Sequence, residues 1–148
     1  MRTTIVGEYE DFAAASRASA ALMIAGFAQA QIGIVGRNVA LHGDAGGTAQ
    51  FAFAGAIARG LTGAAEHDFD ERLVCALSRL CVPPAASRRH AAALDGRGGL
   101  VVLQASADDA RRAEAVMREH GTVASYAGGP VPLALSGLVC DELRIRAA

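Results

Sequence analysis

Histidine, cysteine and acidic side chains are the groups in this chain that could do chemistry, and their densest cluster is EHDFDE at 66–71. Neighbouring residues on a helix point to different faces, so one metal ion could not collect these side chains. We interpret the cluster as an acidic helix start, which the helix dipole favours. His42, His90 and His120 are interpreted as structural residues. We therefore expect no metal site and no cofactor.

The chain has three cysteines without metal-ligand spacing: Cys75, Cys81 and Cys140. Cys75 and Cys81 have no partner at redox spacing and are interpreted as small buried hydrophobes. The odd number of cysteines indicates a reducing compartment, and the N-terminus has no signal-peptide pattern, so we expect a cytoplasmic protein. No G-x-S-x-G elbow is present, and the glycines of 96–99 precede a strand instead of following one, unlike a phosphate loop. We predict no catalytic residues and no enzyme activity.

Composition bounds the class of protein. The chain has 148 residues, 52% of them hydrophobic, and a net charge of −1, which is typical of one globular domain. A near-neutral chain lacks the positive surface of a nucleic-acid binder. The apolar runs at 31–36 and 99–105 also lack the aromatic residues on which a sheet stacks RNA bases. We therefore expect no nucleic-acid partner.

A strand–helix–strand pattern occurs twice, at 3–36 and at 99–127. Two such units predict an α+β fold, and we expect a ferredoxin-like βαβ–βαβ sandwich, with a four-stranded antiparallel sheet and two helices on one face. Asp11 and Ser106 are suitable N-caps for the two helices, and Gly26 is a suitable end for the first. A helical insertion at about 43–95 would separate the two halves.

The first helix is apolar nearly all round. Ala15, Ala18 and Leu22 share one face, while the opposite face includes Met23 and Ile24 and only one charge. A helix of this kind is usually buried on two sides. We therefore expect another segment or another subunit to cover its outer face.

Residues 43–65 are rich in glycine and alanine, with small residues at every fourth place from Thr48 to Ala64. This spacing favours a helix with a flat stripe that packs closely on another helix, either within the chain or across a dimer. Membrane association is the alternative, but the segment contains Arg59 and is short of the roughly 20 apolar residues of a span. Two further helices are predicted at 66–82, with Leu73 and Leu77 on one face, and at 85–95.

The segments IVGEYEDFAAASRASAALMIAGFAQAQIGIVGR and LCVPPAASRRHAAALDGRGGLVVLQASADDARRAEAVMREHGTV together resemble a known family. In order and spacing they are similar to the heat-induced or general-stress-protein-like domain, over roughly residues 3–126. Members typically have an Ala-Gly-Phe turn after the first helix and a Val-Pro before a short helix. The resemblance implies a stress-associated protein without established catalytic residues, so it assigns no residue a role.

From these observations we predict one domain at 1–128 and a C-terminal extension at 129–148. One face of the sheet needs cover, which favours a homodimer. The candidate interface consists of Met23, Ile24, Phe51, Phe53, Gly55 and Ile57. The expected function is that of a non-enzymatic stress-associated protein acting through self-association or a protein partner. The alternatives are a sensor that binds a small molecule at a dimer interface and a protein that associates peripherally with a membrane through the glycine- and alanine-rich helix.

Overall fold

A computed structural model describes residues 2–40, 48–55, 57, 61, 69–80, 82–94 and 98–127. Within these ranges the chain forms five strands, four α-helices and one short 3₁₀ helix at Gln29–Gln31. The strands are β1 (Arg2–Tyr9), β2 (Ile32–Ala40), β3 (Thr48–Gly55), β4 (Gly99–Ser106) and β5 (Thr122–Ala127). The helices are α1 (Phe12–Ile24), α2 (Phe69–Arg79), α3 (Pro84–Ala92) and α4 (Ala107–Arg118).

The strands form one antiparallel sheet in the order β3-β2-β4-β1-β5. β1 pairs with β4 on one side and with β5 on the other, while β2 pairs with β4 and with β3. β1-α1-β2 and β4-α4-β5 are therefore two strand–helix–strand units whose strands interleave. The predicted α+β class is confirmed, and the sheet has one strand more than the four expected.

Local sequence signals determine where the helices begin and end. The Asp11 carboxylate accepts a hydrogen bond from the Ala14 N–H at 2.8 Å, and the Ser106 hydroxyl accepts one from the Asp109 N–H at 3.3 Å, as expected of N-caps. Gly26 ends the first helix with φ +103°, and the Phe27 N–H then reaches back to the Leu22 carbonyl at 3.1 Å. These three predictions are confirmed.

The first face of the sheet packs on α1 and α4. Ala15, Ala18 and Leu22 of α1 are fully buried against strand residues that include Ile5 and Leu103. The small side chains let the helix approach closely, since a Cβ on Gly99 would lie 2.7 Å from the Asp11 carbonyl oxygen. The predicted inner face of α1 is confirmed.

The second face of the sheet packs on α2 and α3 of the same chain. Leu73 and Leu77 of α2 and Ala86 of α3 lie in one buried cluster with Val6 and Val102 of the sheet. Both helices follow the predicted positions. Our argument for a dimer, that this face needed cover from a partner, was therefore wrong, because the insertion supplies the cover.

The predicted glycine- and alanine-rich helix is also wrong over Thr48–Gly55, which is a strand at the edge of the sheet. Residues four apart share a face on a helix, but they also share a face on a strand, because four is a multiple of the strand's period of two. The alternation FAFAG, with Phe51 and Phe53 two apart, is the strand signal. Register confirms it, since Phe53 pairs with Val35 and Gly55 with Gly33.

Tyr9 is closely packed between the first face of the sheet and α4. Its hydroxyl donates to the Met117 carbonyl at 3.2 Å, and a Cβ on Gly7 would lie 2.5 Å from that hydroxyl oxygen. Burial disfavours the phenolate and raises the pKa of Tyr9 from 10.0 to about 12. The folded chain therefore holds this proton more tightly than the unfolded chain does.

We predict that Tyr9→Phe reduces the loss of stability at alkaline pH. Below pH 10 the Tyr9 hydroxyl keeps its proton in both the folded and the unfolded chain, so its contribution to the free energy of unfolding is fully present. Between about pH 10 and pH 12 the unfolded chain loses the proton first and stability falls as pH rises. Urea unfolding of both proteins across this range measures the slopes, and equal slopes would contradict the assignment.

Candidate functional site

The site lies at the edge of the second sheet face, where β1 and β5 pair. Glu8 lies opposite Thr122 and Thr4 opposite Tyr126 in the register of these two strands. Because side chains on a strand alternate between faces, these four residues and Ala124 share the face that carries α2 and α3. The strands thus bring polar groups under α3.

Helix α3 places a histidine over these strands. Pro83 and Pro84 start the helix, and the Ser87 hydroxyl donates back to the Val82 carbonyl at 3.2 Å, which fixes its first turn. His90 then lies on the inner side of the helix and is only 3% exposed, whereas the preceding residue, Arg89, is exposed.

Both ring nitrogens of His90 have partners. Nδ1 lies 2.9 Å from Glu8 Oε1, and Nε2 lies 2.8 Å from the Tyr126 hydroxyl oxygen. A carboxylate only accepts hydrogen bonds, so Nδ1 carries the proton and donates to Glu8. In the neutral ring Nε2 then accepts from the tyrosine O–H. The rings of His90 and Tyr126 also meet edge to face, with centroids 5.8 Å apart and planes at 82°.

Arg89 extends the chain of hydrogen bonds at the surface. Its Nη2 lies 3.4 Å from the Tyr126 hydroxyl, a long and therefore weak bond. The donors run in one direction, from Arg89 through Tyr126 and His90 to the Glu8 carboxylate. Hydrogen bonds aligned in this way polarise one another. We call these four residues the His90 network.

Beside the His90 network is a cleft with a volume of about 430 Å³, which is in the range of small-molecule sites. We call it the His90 cleft, and its lining residues are Glu8, Arg89, His90, Ala93, Thr122 and Ala124. Tyr126 is not among the lining residues. The side chains of these lining residues carry one carboxylate, one guanidinium, one imidazole, one hydroxyl and three methyl groups.

The predicted interface residues differ in their exposure. Met23 and Ile24 are exposed, at 43% and 88%, at the end of α1, and no described segment covers that outer face. Gly55 is exposed on β3, Phe51 lies on the same strand, and Phe53 packs partly on the second core. Ile57 lies within that core and is only 1% exposed. We therefore correct its assignment to the interface.

Most of the residues that were considered as possible metal or redox groups lie outside the described part of the chain. His42, Asp44, 66–68, Cys81 and Cys140 lie outside the described residues, as does the 129–148 extension. Asp70 forms an ion pair with Arg37, and Cys75 is buried. No group of three or more metal-binding side chains occurs in the ranges described above. No helix within those ranges is long and apolar enough to cross a membrane.

Sequence reasoning placed His90 on a polar helix and missed the network. The available signal was spacing: Ala86, His90 and Leu94 lie four residues apart, and all three are buried. A histidine in an apolar stripe needs polar partners. Those partners could not be named from the sequence, since Glu8 is 82 residues away.

No family model, no curated protein and no solved structure matches this chain. The resemblance to the general-stress-protein-like domain stays a prediction that these comparisons do not support.

We predict that Tyr126 and His90 are energetically coupled. Tyr126→Phe removes the partner of Nε2 and should lower the free energy of unfolding by about 0.5–1.5 kcal/mol. In a His90→Ala background the same change should cost almost nothing. Urea unfolding of the double-mutant cycle measures the coupling.

Tyr9→Phe is the matched control, because it removes the hydroxyl of the chain's other tyrosine, which binds Met117 instead. Its cost should be the same with and without His90. If Tyr126→Phe lowers the free energy of unfolding by the same amount with and without His90, the network is contradicted.

Proposed function

We propose that this protein binds a small polar molecule in the His90 cleft. The observation that supports this is the combination of a cavity of about 430 Å³ with a buried histidine whose two nitrogens are held by Glu8 and Tyr126. Such a network fixes the cleft wall before a ligand arrives, which reduces the entropy lost on binding. It corresponds to the sensor alternative of the sequence analysis, with the site inside one chain.

Binding is favoured over catalysis by the direction of the His90 network. In a nucleophile relay the hydroxyl at the end of the hydrogen-bond chain faces the substrate. Here the Tyr126 hydroxyl bonds to His90 and Arg89, and Tyr126 is not a lining residue. The network therefore orients the cleft wall, and we propose a non-enzymatic role.

We also propose that the fold is ferredoxin-like. The strands of the two strand–helix–strand units follow the order β2-β4-β1-β5, and β3 adds one edge strand beside β2. Helices α1 and α4 cover one face, and α2 and α3 of the insertion cover the other. The insertion thus provides the wall of the cleft that faces β1 and β5.

We predict that Ala93→Leu blocks ligand binding, because Ala93, the C-cap residue of α3, lines the His90 cleft and the longer side chain would fill part of it. Ala92→Leu is the matched control, since Ala92 is the exposed last residue of α3 and is not a lining residue. Ligand-observed NMR with a library of polar fragments measures binding to both variants. Fragment binding that persists unchanged in Ala93→Leu, or its absence from the wild-type protein, would exclude this function.

Self-association is a second proposal, supported by the adjacent exposed side chains of Met23 and Ile24. A dimer formed through the outer face of α1 would bury them. A stress-associated role through a protein partner, and a cytoplasmic location, rest on the sequence arguments alone and stay predictions.

If α1 forms a dimer interface, Ile24→Glu should give a folded monomer in sedimentation velocity, since Ile24 is 88% exposed in the single chain and makes little contribution to its core. Ala115→Glu is the control, because Ala115 is exposed on α4. A monomeric wild-type protein would rule this interface out.

A further inference from the structure

We propose, on the basis of the proposed function, that the ligand of the His90 cleft is a small zwitterion: an α-amino acid with a small apolar side chain. Its ammonium group would bind Glu8 and its carboxylate would bind Arg89. This assignment follows from the polar atoms that the His90 network leaves unused.

Glu8 retains acceptor capacity toward the cleft. A carboxylate can accept about four hydrogen bonds, and Glu8 receives one, from His90 Nδ1 at 2.9 Å, among the described residues. Its side chain is 31% exposed. An ammonium group carries three donors and a positive charge, and it matches the remaining oxygen.

Arg89 retains donors. The guanidinium has five N–H groups, and within the described ranges it uses one of them, in the long hydrogen bond to Tyr126. A carboxylate matches the planar fork of this group in two parallel hydrogen bonds. No ion pair joins Arg89 to Glu8 within those ranges, so each charge remains open to a ligand.

The two charges together exclude singly charged ligands. An anion held by Arg89 would also face the Glu8 carboxylate, and a cation held by Glu8 would face Arg89. Both situations carry a like-charge cost. His90 cannot relieve this cost through a direct contact, since both of its nitrogens are occupied. A ligand with one charge of each sign meets neither repulsion.

The remaining walls define the size of the side chain. Ala93, the C-cap residue of α3, and Ala124 of β5 each bring a methyl group to the lining, and Thr122 brings a methyl group and a hydroxyl. These groups are suited to a short apolar side chain and to one further hydrogen bond. A ligand with a large or charged side chain would have to direct that side chain out of the cleft into solvent.

The test is isothermal titration calorimetry with L-valine and L-alanine, compared with N-acetyl-L-valine, which has no ammonium group, and L-valine methyl ester, which has no carboxylate. We expect the free amino acids to bind and each derivative to bind at least tenfold more weakly. Glu8→Gln keeps an acceptor for His90 Nδ1 but removes the charge. It should weaken binding of valine at least tenfold and remove the discrimination against N-acetyl-valine.

Arg89→Gln should weaken valine binding similarly and remove the discrimination against the methyl ester. Arg88→Gln is the matched control, because Arg88 is exposed on the same helix and is not a lining residue. If N-acetyl-valine or the ester binds the wild-type protein as tightly as valine, the zwitterion assignment is overturned. It is also overturned if polar fragments bind in a manner blocked by Ala93→Leu while no amino acid binds. Absence of any fragment binding would instead refute the cleft as a binding site.

Discussion

The structure depends on the fact that the central strands are buried on both faces. Side chains of β1 alternate between two cores: Ile5 and Tyr9 belong to the first, and Val6 belongs to the second. A shift of register by one residue would exchange the two sets and would move Glu8 from the cleft into the first core. The position of the candidate site is therefore determined by the same alternation that builds the fold.

The second core has polar side chains at its edges. Glu8 and His90 lie at its edge, and Thr4 and Gln104 lie at its other end, where both side chains reach the Leu80 carbonyl. Buried polar groups stabilise a fold only when they are fully hydrogen-bonded. Apolar contacts and the ion pair between Asp70 and Arg37 of β2 hold α2 to the sheet, whereas α3 depends on apolar contacts together with the hydrogen bonds of His90. Both helices of the insertion are therefore attached to the sheet by polar as well as apolar contacts.

Sequence patterns predicted the elements whose signals are local. The caps at Asp11 and Ser106, the turn at Gly26 and the helices of the insertion depend on residues within a few positions. The strand at Thr48–Gly55 was predicted as a helix, because repetition at every fourth residue fits both structures. Only the spacing of Phe51 and Phe53, two residues apart, distinguishes the strand from a helix in this segment. The cover of the second sheet face depended on long-range packing, which no local pattern reports.

The candidate site could not be predicted in the same way, because its residues come from three separate parts of the chain. Glu8 lies near the end of β1, His90 lies on a helix of the insertion, and Tyr126 lies near the end of β5. Spacing indicates that His90 is buried, but no local pattern indicates that Glu8 and Tyr126 are its partners. Their chemistry arises only when the antiparallel pairing of β1 with β5 places Glu8 and Tyr126 four residues apart in register and α3 crosses above them. The imidazole then spans the two side chains, so the shape of the cleft depends on the insertion as much as on the sheet.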